Sequence, residues 1–157
     1  MVNDVMPGGV VEERRNTYER DYYTWALEQA SALKARRPES LDWENLAEEV
    51  GDLARSERRE LESRLEVLLQ HLLKWQFQPK RRSRSWTATI AVQRFKIRRR
   101  LEQNPGLRPA IPEILANAYT AARIDPINGV LQGATSRPLE LCPWTFEQFM
   151  DEQFRPD

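Results

Sequence analysis

One predicted helical face carries an acid, a guanidinium and an imidazole at regular spacing. Glu57, Arg64 and His71 follow one another at intervals of seven residues, which places all three on one side of a helix. Among the neighbouring leucines, we expect them to be desolvated. They form either a buried polar layer that fixes the helix register or a general acid–base site in which His71 titrates. We favour the polar layer, and both interpretations stay open at this point.

The chain has few residues that could form a metal site. A di-iron site in a helical bundle needs two Glu-x-x-His pairs, and the sequence has one histidine. One cysteine, Cys142, leaves too few ligands for zinc. Glu44, Glu48 and Asp52 recur every four residues, which fits a solvated face near a helix N-terminus better than a carboxylate Mg²⁺ site. We therefore expect no catalytic residue, no metal and no cofactor.

Charge is divided unevenly along a chain whose formal net charge is zero. A basic segment, Val67 to Leu101, has ten Lys and Arg residues and no Asp or Glu. Residues 1–66 hold sixteen acids and ten bases, and residues 102–157 hold eight acids and four bases. An uneven distribution of charge along the chain gives information about binding partners rather than about the fold. The basic segment is expected to meet the acids of this chain, an acidic protein or nucleic acid.

Several residues of the basic segment are candidates for partner binding. They are Lys80, Arg81, Arg82, Arg84, Trp86, Arg98, Arg99 and Arg100. Arginines beside aromatic residues, as in the turn 80–84, suit phosphate contact with base stacking. The arginines further along point in several directions on their helix, which is not typical of a DNA-recognition helix. Pairing with acids inside the bundle is the alternative, and we favour acidic partners over nucleic acid.

The elements that position these residues are helices. Apolar residues at three- and four-residue spacing predict helices over the ranges 18–37, 42–76, 86–103 and 111–124. Thr17, Asp42 and Ser85 are the expected N-caps of the first three. Thr145 and Gln148 form a capping box, which predicts a short C-terminal helix. The predicted fold is all-α, an antiparallel helical bundle of about four main helices with a short C-terminal helix.

The third predicted helix, 86–103, is apolar on two opposite sides. Ala88, Val92 and Phe95 lie nearly opposite the side that faces the bundle, and a helix of this kind is usually covered on both sides. We therefore predict self-association through these three residues. Residues 1–16 are expected to form an N-terminal arm, and residues 17–157 a single helical-bundle domain.

Three stretches of the sequence resemble the bacterial domain-of-unknown-function family 29. They read YERDYYTWALEQASAL, DWENLAEEVGDLARSERRELESRLEVLLQHLLKWQFQPKRRSRSW and CPWTFEQFMDEQF. The resemblance extends from about Tyr18 to Phe154, and its most specific part is Glu44 to Trp86. It implies an all-helical fold and carries no established activity.

Our interpretation is a non-enzymatic protein-interaction module that self-associates or binds an acidic protein. The alternative is a nucleic-acid-binding protein that uses the basic turn 80–84 and the third helix. A weaker alternative is a hydrolase or nuclease that uses acids of the second helix. The sequence has no apolar stretch long enough to span a membrane, no membrane partner is expected, and a single cysteine favours the cytoplasm.

Overall fold

The computed structural model describes residues 17–124 and 141–157, and all regular structure within them is helical. Residues 17–20 are helical, and five longer helices follow. They are α1 (Tyr22–Lys34), α2 (Trp43–Phe77), α3 (Arg84–Gln103), α4 (Ile111–Ile124) and α5 (Phe146–Met150). Short 3₁₀ helices at Pro38–Ser40, Pro79–Arg81 and Pro105–Ala110 precede α2, α3 and α4. The predicted all-α bundle is confirmed.

Local capping chemistry explains where these helices begin. Asp42 caps α2 as expected, its Oδ1 accepting from the backbone N–H of Asn45 at 3.3 Å. The capping box of Thr145 and Gln148 is present at α5. The expected caps of α1 and α3 were wrong, since Asp21 rather than Thr17 caps α1 and Ser83 rather than Ser85 caps α3.

The chain divides within α2 into two compact units, Met1–Arg55 and Ser56–Asp157. The expected N-terminal arm, 1–16, lies outside the described residues, and the prediction of one domain over 17–157 stays a prediction. None of the helices in the described parts of the chain combines the length and apolar character that a membrane crossing requires.

In the first unit, polar contacts join α1 to the beginning of α2. The indole Nε1 of Trp25 donates to Asp42 Oδ2 at 3.2 Å, and the backbone N–H of Asp42 donates to Gln29 Oε1 at 2.7 Å. The Glu49 carboxylate accepts from the hydroxyls of Tyr18 and Tyr22 at 2.6 and 2.8 Å. The hydrogen bond from Tyr18 to Glu49 raises the pKa of Tyr18 to about 12, because the phenolic proton is shared with the carboxylate anion.

Much of the apolar surface of this first unit is exposed. Among its described residues, the buried apolar ones are Trp25, Ala32 and Leu41. By contrast, Val50 and Leu53 on α2 are 63 % and 69 % exposed. The buried apolar side chains of α2 therefore lie in its later part, from Leu61 to Leu73.

The second unit contains the hydrophobic core. Six leucines of α2 are buried there together with apolar residues of α3, α4 and α5 and Trp144. Within this unit, Glu57 in the middle of α2 pairs with Arg100 near the end of α3, and Trp75 at the end of α2 lies beside Arg82 just before α3. The second half of α2 and α3 therefore run antiparallel. Phe154 packs against the same core.

Candidate interaction surface

The three residues of the expected polar layer are half-buried and have separate partners, and the layer itself stays a prediction. Glu57 pairs with Arg100 and accepts from the amide of Asn104 at 2.9 Å. Arg64 instead pairs with Glu60, its helical neighbour. The side chains of Glu57 and Arg64 are 38 % and 30 % exposed.

His71 also has a partner within its own helix. Its Nδ1–H donates to the carbonyl of Val67 at 2.8 Å. Burial lowers the pKa of His71, and the hydrogen bond to Val67 partly opposes this effect. Burial thus favours the neutral ring, and its partner is a carbonyl rather than an acid of the expected layer. This geometry offers no general acid–base pair.

The acids near the start of α2 are engaged by a neighbouring arginine. Arg55 contacts Glu48 Oε1 and Asp52 Oδ1, each at 2.8 Å. Within residues 17–124 and 141–157, no three His, Cys, Asp or Glu side chains lie close enough together to hold a metal ion. Burial raises the pKa of the Cys142 thiol, which lowers its thiolate fraction and thus its nucleophilicity.

The turn between α2 and α3 carries cations that no described acid neutralises. We define the basic turn as the exposed residues Lys80, Arg81, Arg82 and Arg84. In the described parts of the chain, none of these four makes an ion pair within 4 Å. The guanidinium of Arg82 lies 5.1 Å from the ring centre of Trp75, and its Nε donates to the Trp75 carbonyl at 2.9 Å. The aromatic partner found here is Trp75 rather than Trp86, and both indole rings are half-buried.

The arginines further along α3 differ from those of the turn. Arg98 pairs with Glu152 at 3.2 Å, and Arg100 pairs with Glu57 and lies 3.7 Å from Glu60. Arg99 is exposed and has no ion pair with a described acid. The candidate partner-binding residues therefore do not form one basic surface, since Arg98 and Arg100 hold parts of the bundle together.

The three residues predicted to mediate self-association lie together on the exposed side of α3. Ala88 is exposed, and Val92 and Phe95 are 46 % and 58 % exposed. We call the residues at this three- and four-residue spacing the outer stripe of α3, which consists of Arg84, Ala88, Val92, Phe95 and Arg99. Ile90, Ile97 and Leu101, on the opposite side, are buried. The outer stripe is thus an apolar patch with an arginine at each end.

Arg94 is a structural residue that the sequence reasoning missed. It is 2 % exposed, and its guanidinium donates to the carbonyls of Phe149 at 2.7 Å, Glu152 at 3.2 Å and Phe154 at 2.9 Å. Burial lowers its pKa to about 10, so it stays charged at pH 7. The sequence contains a signal for this burial, because Arg94 lies midway between Ile90 and Ile97, and that position falls on the buried side of α3.

Comparison with known proteins identifies the family. None of the curated proteins and none of the solved structures compared with the chain matches it. A family model described as "Domain of unknown function DUF29" matches residues 17–155, which confirms the resemblance found in the sequence. The chain belongs to the DUF29 family.

Proposed function

We propose that this protein is a self-associating protein-interaction module and that the outer stripe of α3 is its contact surface. The observation that carries this proposal is the exposure of Val92 and Phe95 between Arg84 and Arg99, neither of which pairs with a described acid. Protein interfaces combine an apolar centre with a polar rim and are enriched in aromatic residues and arginine. A neighbouring acid-free turn adds positive charge to the same region.

The charges of the outer stripe restrict its partner. If two outer stripes met antiparallel, Arg84 of one copy would face Arg99 of the other, and like charges across an interface are costly. The surface that covers the stripe is therefore acidic as well as apolar. This favours a contact between two different surfaces over a symmetric contact of α3 with α3.

A second copy of the chain carries a surface of this chemistry. Residues 17–55 hold nine acids and five bases, and Trp43, Val50 and Leu53 are more than 60 % exposed there. A contact between this unit of one copy and the outer stripe of another matches apolar groups with apolar groups and acids with bases. The presence of one cysteine in the chain supports a cytoplasmic location for such a module.

Sedimentation velocity over a range of protein concentrations tests this proposal. We expect concentration-dependent association of the wild-type chain. We expect the double variant Val92→Gln, Phe95→Gln to weaken it at least about tenfold, because both side chains lie at the centre of the patch. Arg99→Glu should also weaken it, since this substitution places an acid against an acidic partner.

The control is Leu141→Gln, which replaces a side chain that is 81 % exposed and lies outside the outer stripe. It should leave association unchanged, and circular dichroism should be the same for all variants. A wild-type chain that stays monomeric at hundreds of micromolar would refute self-association. Association that is unaffected by the double variant would refute the outer stripe as its surface.

A further inference from the structure

The basic turn concentrates positive charge without a counter-charge in the described part of the chain. Lys80, Arg81, Arg82 and Arg84 fall within five residues, and all are exposed. Several arginines elsewhere contact carboxylates, such as Arg55 with Asp52 at 2.8 Å. Four neighbouring cations repel one another unless an anion lies among them. The turn is therefore arranged to receive an anionic group.

Two guanidiniums are held in place at one end of this cluster. Arg82 lies over Trp75 at 5.1 Å from the ring centre, and Arg155 lies 5.8 Å from the centre of the same ring. The Nη1 of Arg155 donates to the carbonyls of Glu152 and Phe154 at 3.2 and 2.7 Å. Arg82 donates a hydrogen bond to a described residue through Nε alone. Its terminal N–H groups remain available as a fork for an anion.

We propose that the basic turn binds the phosphate backbone of a nucleic acid without reading its sequence. Phosphate oxygens match the planar fork of arginine, and phosphate contacts need cations but no apolar centre. The turn has no exposed large apolar side chain, unlike the outer stripe of α3, which distinguishes it from a protein interface. The guanidiniums of Arg82 and Arg155 lie over the half-buried Trp75 ring, so base stacking is not part of this contact.

Fluorescence anisotropy with a labelled 20-base-pair DNA duplex tests this proposal at 50 and 200 mM salt. Four phosphate contacts give a slope of about −3.6 in log affinity against log salt, hence about a 150-fold loss of affinity over this range. A second duplex of shuffled sequence should bind equally well. The double variant Lys80→Ala, Arg81→Ala should reduce the slope by about 1.8 and weaken binding at 50 mM at least about tenfold.

The matched control is Arg59→Ala, Arg108→Ala, which removes two exposed cations of the same unit and should keep the slope unchanged. The substitution Arg82→Lys should also lower the affinity for DNA, because an ammonium does not provide the planar fork of N–H donors that a guanidinium has. Absence of binding at 50 mM, or the same slope in both double variants, would overturn the proposal. Binding to vesicles with 30 % phosphatidylserine but not to DNA would overturn it in favour of a membrane. Sedimentation of the same variants reports self-association separately, so either proposal can fail alone.

Discussion

At the scale of single residues, Arg94 shows how one side chain organises the end of the chain. A buried guanidinium without a carboxylate is costly, and several hydrogen bonds are needed to offset its desolvation. Arg94 makes three, all to backbone carbonyls of residues 149–154. The Phe149 carbonyl lies in the last turn of the short helix α5, and those of Glu152 and Phe154 follow the helix, so no further turn of helix supplies N–H groups to them. Arg94 therefore acts as a C-terminal cap supplied by a distant helix.

Replacing Arg94 by Met should destabilise the protein by about 3 kcal/mol or more, because hydrogen bonds to a charged donor are lost and the buried carbonyl of Phe149 is left unsatisfied. Urea denaturation followed by circular dichroism measures the change. Arg94→Lys is the control, since it keeps the charge but offers one ammonium group, and it should recover only part of the loss. A Met variant as stable as the wild type would show that solvent replaces these contacts without cost.

At the scale of elements, the sequence predicted helices well where their ends depend on neighbouring residues. Helix α4 has the predicted bounds, and the caps at Asp42 and Thr145 are those expected. The cap of α3 was displaced by two residues because Ser83 and Ser85 are equally good caps by local criteria. The contact of Arg82 with Trp75, seven residues earlier in the chain, fixes the backbone just before Ser83.

Partners that are distant in sequence could not be predicted from the spacing of the polar residues on α2. The spacing of Glu57, Arg64 and His71 gave the right helix face, but it contained no information about Arg100 or Asn104, which bond Glu57 from 43 and 47 residues away. By contrast, the exposure of Ala88, Val92 and Phe95 followed from helical periodicity alone. The pattern does not contain information about what, in the proposed self-association, contacts this face.

The end of α1 provides a prediction at this scale. Arg36 has φ of 55°, and the backbone N–H groups of Arg36 and Arg37 donate to the carbonyls of Leu33 and Ala32. This is a Schellman motif, in which glycine usually occupies the left-handed position. Arg36→Gly should therefore stabilise the protein by about 1 kcal/mol, measured as a rise in thermal midpoint.

The control for this substitution is the next residue. Arg37 has φ of −102°, so Arg37→Gly relieves no steric conflict and adds freedom to the unfolded chain, which should lower stability slightly. Equal effects of the two glycine substitutions would show that the left-handed backbone carries no cost here.

At the scale of the whole molecule, charge and apolar surface are distributed differently between the two units. The cluster of fifteen buried apolar residues belongs entirely to Ser56–Asp157. Residues 17–55 carry an excess of four acids, nine against five bases, and bury few apolar side chains. Although the net charge of the chain is zero, its first unit is acidic and its basic segment is not balanced locally. These opposite charges fit the proposed contact between two copies of the chain.

This distribution predicts that the first unit opens more easily than the second. Stability within a protein follows the local density of buried apolar contacts, and α1 buries Trp25 and Ala32, whereas α2 buries six leucines between Leu61 and Leu73. Native-state hydrogen exchange should therefore give lower opening free energies for amides of Tyr22–Lys34 than for amides of 61–73.

The variant Trp25→Ala makes this test specific. Trp25 is 2 % exposed and donates to Asp42, so its removal should cost the first unit about 3 kcal/mol or more. Protection of α1 amides should be lost, while amides 61–73 keep the protection of the wild type. If Trp25→Ala instead lowers protection equally in both segments, the chain unfolds as one cooperative unit, and the uneven distribution of its core does not govern its opening.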